Sequence, residues 1–341
     1  MFYNPAMAPD RDLAVAFARA WAARGAADRD GWDVLAATGV RGLRLLHEGV
    51  AVRSMRFTEA NPPAVDTLRA NAARYPGATV DEGDARIASR GSFDYVDLDP
   101  YGSPLPFLDA AVAAVRPGGV LAVTATDMMV LAGVQAGAAQ RRYGARPVRG
   151  RLAPEGALRI LLATVYRRAA ARSFSVRPLL AYARDHYVRA YVELGPRSQG
   201  PADPRIAEID PSRWSGPALG AGGPFGPLWL GPLHDREFVG RLETPPHAAE
   251  PKVVGRFLAR IREEAEVDVP FFYEANALAG ALGVAAPPSL ERILAALREE
   301  GHGAARAHGR PEGFRTTADR TTVEAVVRCL GGQSQNARVR A

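Results

Sequence analysis

The residue types best suited to chemistry stand together at Asp99, Pro100, Tyr101 and Gly102, where the apolar run FDYVDL gives way to a turn. Runs of that kind fill buried strands, and a parallel sheet binds its ligands beyond the carboxyl ends of such strands. Side chains alternate along a strand, so Asp97 and Asp99 share a face, and Asp99 at the strand's end points its carboxylate into the crevice. Proline and glycine turn the chain there and hold Tyr101 beside the carboxylate as a flat surface for stacking. The plainer reading of the same residues is an aspartate that caps the following helix.

Neighbouring strand ends carry a second set. The segment AATGVRG offers Thr38, Gly39 and Gly42 between a strand and a helix. Glycine lets the backbone approach a ligand, and a helix N-terminus favours anionic groups. The segment does not meet the GxGxxG dinucleotide pattern and alone is no more than a tight turn. Glu59 ends the next strand about 20 residues after Gly39, where an acid accepts from both hydroxyls of a ribose. Asp84, in EGDA after the third strand, is placed to take an adenine amino group.

Together these ends make an adenosine site that NAD and S-adenosylmethionine both fit. The fourth strand separates the two, because hydride transfer has no use for Asp99. An acid, a proline and an aromatic on one turn resemble the (D/N)PP(Y/F) signature of methyltransferases that modify exocyclic amines of nucleobases. The lone pair of such an amine is delocalised into its ring; hydrogen bonds to a carboxylate and a backbone carbonyl localise it for attack on a sulfonium methyl.

Positioning these turns requires strands that alternate with helices. The pattern reads helix 11–24, strand 32–38, strand 55–59, a helix on NPPAVDTLRANAARY, strand 78–85 with its turn, strand 93–99, helix 106–115 and strand 118–126. Pro9 and Asp10 read as the cap of the first helix. A helix at 155–172 and a hairpin, VRPLLAYAR with HYVRAYVEL, complete an α/β, doubly wound, Rossmann-like class I sheet. The Gly-, Pro- and Ser-rich residues 196–227 read as a long loop, and GPLWLGPL as a return strand. TPPHAAEP reads as a linker, so the expected division is a catalytic domain over 1–242 and a smaller, mainly helical, winged-helix-like domain over 243–341. The latter has helical patterns at 252–266, 271–283 and 288–300 and a strand pair near ARAHG and FRTT.

The net charge of +6 comes almost wholly from arginine, since Lys252 is the sole lysine. Arginine surplus points to a polyanionic partner, and the cluster RRYGARPVRGR (Arg141, Arg142, Arg146, Arg149) reads as a phosphate track. The lone Cys329 excludes an internal disulfide and a cysteine-rich zinc cluster. No uninterrupted apolar stretch is long enough to span a bilayer and no signal peptide is recognisable, so a cytoplasmic protein without a membrane partner is expected.

Scattered runs narrow the resemblance. FYNPAMAPDRD, LAATGVRGLR, DLDPYGSP, VTATD, RRYGARPVRG, EGALRILL, ARDHYVRAYVEL, GPLWLGPLHD and GFRTTA, from Phe2 to about residue 318, are similar to the Trm1 family of tRNA (guanine-26-N2) dimethyltransferases. The resemblance implies S-adenosylmethionine as cofactor and tRNA as partner, with guanine 26 methylated on N2 once and then again. It implies that Arg11 and either Arg41 or Arg44 contact the cofactor, with Thr38 and Gly39 in its turn, Glu59 at its ribose, and Asp84 and Ala85 at its adenine. Asp99 accepts the amine's hydrogen bond or proton beside Pro100, while Tyr101 and Phe2 hold the flipped guanine between aromatic faces. Asp97, two residues deeper, joins the cofactor set as a support.

Departures from the family bear on these expectations. Relatives carry more residues ahead of FYNP, which leaves Phe2 less to anchor it here. They also carry a pair-and-pair of cysteines before GPLW that this chain lacks, so no metal is expected. Cysteines usual between VTATD and RYGA are replaced, which direct transfer without a thiol adduct tolerates. His186 and His234 are expected to orient loops, and Asp127 and Asp185 to support the site. A monomer is expected. The alternatives are an amino-methyltransferase acting on another RNA or DNA base, and a non-catalytic RNA-binding protein on a methyltransferase fold. The presence of Gly39, Glu59, Asp84 and Asp99 together argues against the latter.

Overall fold

A computed structural model describes residues 4–25, 28–50, 52–88, 91–196 and 205–339. Its centre is a seven-stranded sheet of β1 (Asp30–Asp33), β2 (Ser54–Glu59), β3 (Ala78–Glu82), β4 (Phe93–Leu98), β5 (Val115–Ala125), β6 (Phe174–Arg184) and β7 (Tyr187–Pro196). The spatial order is β3-β2-β1-β4-β5-β7-β6, parallel except for β7, which runs antiparallel to both β5 and β6. The order reverses at β1 and β4, and it is outside that switch that an open sheet leaves a crevice.

Both faces of the sheet are covered, which explains the near-continuous apolar strands. On β4 and β5, Val96, Leu98, Leu121 and Val123 pack into one buried cluster with the helix Ala153–Ala170. Tyr95, Val120 and Ala122 pack into the other with the helix Ala8–Ala22, whose Phe17 stacks on Tyr191 at 4.1 Å. Consecutive residues therefore serve opposite cores, and the parity puts Asp97 on the face of Tyr95, beneath the first helix.

Several expectations shift. The first strand ends at Asp33 instead of residue 38, because the chain bends away while its amides stay bonded to both neighbours: Val34 N donates to Asp97 O (2.9 Å) and Ala36 N to Thr58 O (3.0 Å). Asp10 is not a cap, since the first helix begins at Ala8 and puts Asp10 in its first turn, buried. The expected loop at 196–227 holds β8 (Ile206–Ile209), which pairs antiparallel with β9 (Phe225–Trp229) in a separate two-stranded sheet; the return strand does not rejoin the main sheet.

The helix Pro251–Glu264 sends Val254, Leu258 and Ile261 into the core beneath the first helix. The expected helix at 271–283 is shorter, Ala275–Ala281, because β10 (Tyr273–Glu274) precedes it. β10 pairs with β12 (Gly313–Thr316), which pairs in turn with β11 (Ala304–Arg306). The helices Leu290–Glu299 and Arg320–Val339 cover that small sheet over a core of its own around Phe314, Leu297 and Val323. Among the described residues, no helix is long and apolar enough to cross a membrane.

A buried ionic cluster fastens this C-terminal part to the main sheet. Arg315 of β12 donates to both oxygens of Glu155 (3.1 and 2.8 Å), to the carbonyls of Val269 (2.8 Å) and Phe271 (3.0 Å), and to Glu264. Glu155 also accepts from Arg159 and from the Phe271 amide, both at 2.7 Å. Every member is all but inaccessible to water. Burial opposes the charge of Glu155 and Glu264, but Arg315 outweighs it and holds both carboxyls below their ordinary range. Removing the shared partner takes from Glu264 its only arginine among the described residues and leaves Glu155 with Arg159 alone, both still buried. Arg315→Met should therefore lower unfolding stability by about 3–5 kcal/mol in denaturant titration. A loss within about 1 kcal/mol would show that the cluster is not what joins the two parts.

Candidate active site

The turn after β1 is held by its neighbours. Ala37 has a left-handed backbone, φ +48°, which costs a residue with a Cβ about 1–2 kcal/mol. Its amide donates to Glu59 Oε2 (2.8 Å), and Glu59 Oε1 accepts from the amides of Ala60 (2.9 Å) and Asn61 (2.8 Å). Glu59 thus fixes the Ala37 turn against β2 while offering the crevice its remaining acceptor position. Asn71 Nδ2 donates to Thr38 O (3.0 Å). Gly39 follows with φ +75°, and a Cβ there would stand 2.5 Å from Leu68 Cδ1, so only glycine turns the chain into the helix Val40–His47 at that point.

At the third strand end, Asp84 accepts from Arg86 Nε (2.9 Å) and from the Arg86 amide (2.9 Å), which lower its pKa to about 2. Ala85 beside it is buried.

The fourth end brings the expected acid to the mouth of the crevice. Asp99, the first residue beyond β4, is partly exposed (28% of its side chain). Arg41 Nη2 donates to Asp99 Oδ2 at 2.6 Å, and Arg41 Nη1 forms an ion pair with Asp10 Oδ2 at 2.7 Å. Asp10 Oδ1 accepts in turn from Tyr182 (2.7 Å) and Tyr187 (3.1 Å). Burial works against the charge of Asp10, yet Arg41 and Arg189 keep its carboxyl well below the ordinary range. Pro100 is buried and Tyr101 is 79% exposed. Gly102 N donates to Thr126 Oγ1 (2.6 Å), Thr126 N to Gly102 O (3.0 Å), and Tyr143 OH links Ser103 Oγ (2.8 Å) to Asp127 (2.9 Å). The turn that presents Asp99 and Tyr101 is clamped from below, with Asp127 as a support.

Under it lies a second guanidinium. Arg189 donates to Asp97 Oδ2 (2.7 Å), Thr124 Oγ1 (2.6 Å) and Tyr191 OH (2.9 Å), and Tyr95 OH donates to the same Asp97 oxygen (2.8 Å). Asp97 is 2% exposed and gives Oδ2 to Arg189 and Tyr95, which places it beneath the mouth of the crevice. Asp33 pairs in register with Asp97 on the adjacent strand, also buried. Burial first, and the Asp97 charge second, push the Asp33 carboxyl up to about 8.

Arg41 and Arg44 are separated by their contacts. Arg41 faces the strand ends, whereas Arg44 pairs with Asp12 (2.5 Å) and Glu48 (2.7 Å) and donates to His247 O (3.2 Å), away from Asp99. Arg11 is buried and donates to Asn4 O at 3.3 Å from both terminal nitrogens. Phe2 lies outside the described residues. Asp33 and Arg189 have no counterpart in the sequence reading, and Asp10 appears there only as a helix cap. His186 is exposed on the hairpin turn.

His234, Glu264 and His308 bring potential metal-ligand atoms within 4.8 Å of one another. His308 Nε2 accepts from the Ala183 amide (3.1 Å), which leaves Nδ1 to donate to Glu264 Oε2 (2.5 Å), while Arg315 holds the other oxygen. Two of the three groups are thus spent on hydrogen bonds, and burial lowers the pKa of His234. In the basic cluster, Arg146 donates to Gly223 O (2.9 Å) and serves the loop, while Arg141 and Arg142 are exposed beside Tyr143.

Known proteins match this chain over most of its length. The model of the N2,N2-dimethylguanosine tRNA methyltransferase family matches residues 1–204 and 220–328. A tRNA (guanine(26)-N(2))-dimethyltransferase of Thermococcus kodakarensis is 37% identical, covering 93% of this chain and 90% of its own. One from Pyrobaculum arsenaticum is 35% identical over 97% of this chain and 92% of its own. The structure of Trm1 from Pyrococcus horikoshii in complex with S-adenosyl-L-methionine superposes with a TM-score of 0.83 at 29% identity, covering 96% of this chain and 94% of that one.

The Asp33–Asp97 pair has a signature in solution. A carboxyl whose folded pKa is raised contributes stability that is fully present below its unfolded value, about 4, and is lost as the pH rises through its folded value. For Asp33 the window closes at about 8. Asp33→Asn keeps the shape but cannot ionise, so its melting temperature should fall less between about pH 5 and 8 than that of the parent. Equal slopes would mean that Asp33 is charged in the folded protein throughout.

Proposed function

The chain belongs to the N2,N2-dimethylguanosine tRNA methyltransferase family, and we propose that its reacting groups are those of the Asp99–Tyr101 turn. The protein is an S-adenosylmethionine-dependent transferase that methylates N2 of guanine 26 in tRNA. The observation that supports the site is the difference between Asp99 and its neighbours. Asp10, Asp33 and Asp97 are buried, and the spare Oδ1 of Asp97 with them, while Asp99 is partly exposed, gives one oxygen to Arg41 and keeps Oδ1 without a hydrogen bond among the described residues.

When bound, S-adenosylmethionine supplies an electron-poor methyl group. Its adenosine would be held by Thr38 and Gly39 at the first turn, Glu59 at the second strand and Asp84 with Ala85 at the third, with Arg11 and Arg41 toward the fourth. The guanine, out of its stack, lies on Tyr101 and donates an N2 hydrogen to Asp99 Oδ1, with Phe2 as a second face. That bond withdraws the amine from conjugation and accepts the proton as N2 becomes quaternised. Arg41 keeps the carboxylate pointed at the amine. The N2 amine starts with two hydrogens and loses one per methyl, so Asp99 finds a donor twice and then no more, which accounts for a dimethylated end product.

Residues 243–341 form the part that grips the tRNA body, and residues 1–242 the part that reacts. The enzyme works as a monomer in the cytoplasm and its chemistry calls on no metal.

Asp99→Asn retains the Arg41-side geometry but cannot take the proton; turnover should fall about 10²–10⁴-fold. S-adenosylmethionine affinity, measured by calorimetry, should change little. Turnover near that of the parent would remove Asp99 from the mechanism. Nucleoside mass spectrometry on an unmodified tRNA transcript should locate the methyls at guanine 26, and a transcript with adenine there should gain none.

A further inference from the structure

A cleft of about 760 Å³ separates the helix Pro251–Glu264 and the segment around Gly309 from the β6–β7 hairpin. Arg184, Arg256, Arg260, Arg306 and Arg310 line it. Its acids are Asp185 and Glu263, and these are taken: Asp185 by Arg184 (3.5 Å), Glu263 by Arg306 (3.3 Å) and Arg298 (3.5 Å). Arg256, Arg260 and Arg310 have no carboxylate within ion-pair distance among the described residues. Arg256 and Arg260 are four apart on one helix and so stand on the same face.

Convergent guanidiniums with no counter-ion repel one another, and the walls of a cleft concentrate the resulting field. A surface evolved only to be wet would spread them or pair them, as it does at Arg177 with Glu193 and Asp235 (2.9 and 3.2 Å). The ligand chemistry that matches spaced guanidiniums is a chain of phosphates.

Placement relative to Asp99 supports the same partner. Leu98 pairs with Val123, Ala125 with Val188, and Arg184 with Tyr187, so the hairpin end and Asp99 share one edge of the sheet. Between β4 and β6 lie three strand spacings, about 14 Å. A backbone running from the mouth of the crevice meets the cleft without turning around the protein. His308 ties the cleft's two sides together: its Nε2 accepts from the Ala183 amide of the hairpin strand β6 (3.1 Å) and its Nδ1 bonds Glu264 of the helix (2.5 Å).

We propose that this cleft is the grip for the phosphate backbone of the tRNA, built from Arg184 of the sheet and Arg256, Arg260 and Arg310 of the C-terminal part. It rests on the tRNA reading above and adds where the strand is held. The grip binds substrate and transition state alike, so its loss raises KM and leaves kcat.

The test uses the full chain and an unmodified tRNA transcript, with affinity measured across a range of salt. The triple variant Arg256→Gln, Arg260→Gln, Arg310→Gln should bind at least tenfold more weakly at low salt, and the slope of log K against log salt should flatten by about 2–3. S-adenosylmethionine affinity and kcat at saturating tRNA should stay at parental values. A control that removes Arg168, Arg172 and Arg177, at the opposite edge of the sheet, should leave the slope unaltered. Parental affinity and slope in the cleft variant overturn the grip, and so does an equal loss in the control. If the parent binds tRNA with the expected slope yet transfers no methyl, the reaction reading fails while the grip stands. If the parent methylates tRNA and the cleft variant binds as tightly as it does, the grip alone fails.

Discussion

Arg41 and Arg189 are what allow carboxylates to gather at the carboxyl edge of this sheet. Asp10, Asp33, Asp97 and Asp99 crowd the same side of the central strands, and such a group cannot all be charged in a buried place without cations among them. Arg41 bridges the helix Ala8–Ala22 to the turn after β4, and Arg189 bridges β7 to β4. Asp33 is the acid of the four without a direct guanidinium partner among the described residues, and burial together with the neighbouring Asp97 charge raises its pKa. The exposed member, Asp99, is the one that reaches solvent at the mouth of the crevice. Differentiation of four identical side chains follows from which have a guanidinium and which have water.

The same device recurs between the two parts of the chain. Arg315 stands to Glu155 and Glu264 as Arg41 stands to Asp10 and Asp99, one guanidinium shared by two acids. The difference lies in burial. Behind the sheet every oxygen of Glu155 and Glu264 has a donor, so the cluster does nothing but hold. At the mouth Asp99 Oδ1 is left over. Asp97 also has an oxygen without a hydrogen bond, but that one is buried, so what sets Asp99 apart is a spare acceptor on a side chain that reaches solvent.

What the sequence revealed was what is local. The strands, the left-handed Gly39, Glu59 at a strand end and the Asp99–Tyr101 turn each announce themselves within a few residues, through alternation, a glycine or a proline. Arg189 does not, because within HYVRAYVEL it reads as the polar position of an amphipathic strand. Its partner Asp97 is 92 residues away. Asp10 looks like a helix cap from its neighbours and becomes an ion-pair partner only when the helix of Arg41 packs against it. Arg41 and Arg44 cannot be told apart by spacing, since residues three apart share a helix face. Asp12 and Glu48 decide the matter in space, by claiming Arg44.

The basic surfaces show the same limit from the other side. The cluster at 141–151 is conspicuous because its arginines are adjacent in the chain, yet Arg146 is occupied with Gly223. The cleft arginines come from a hairpin, a helix and a loop of two separate parts, and no window of sequence collects them. What collects them is the packing of the helix Pro251–Glu264 on the first helix, through Val254, Leu258 and Ile261, together with the Arg315 cluster. An apolar seam and a satisfied ionic knot thus set the distance between the cleft and Asp99. A flexible tether would allow the RNA to be bound in many registers; a fixed one admits a single base to the carboxylate when the backbone is seated. Selection of one position in a folded RNA requires such a ruler, because a carboxylate in the role we propose for Asp99 recognises only an amine.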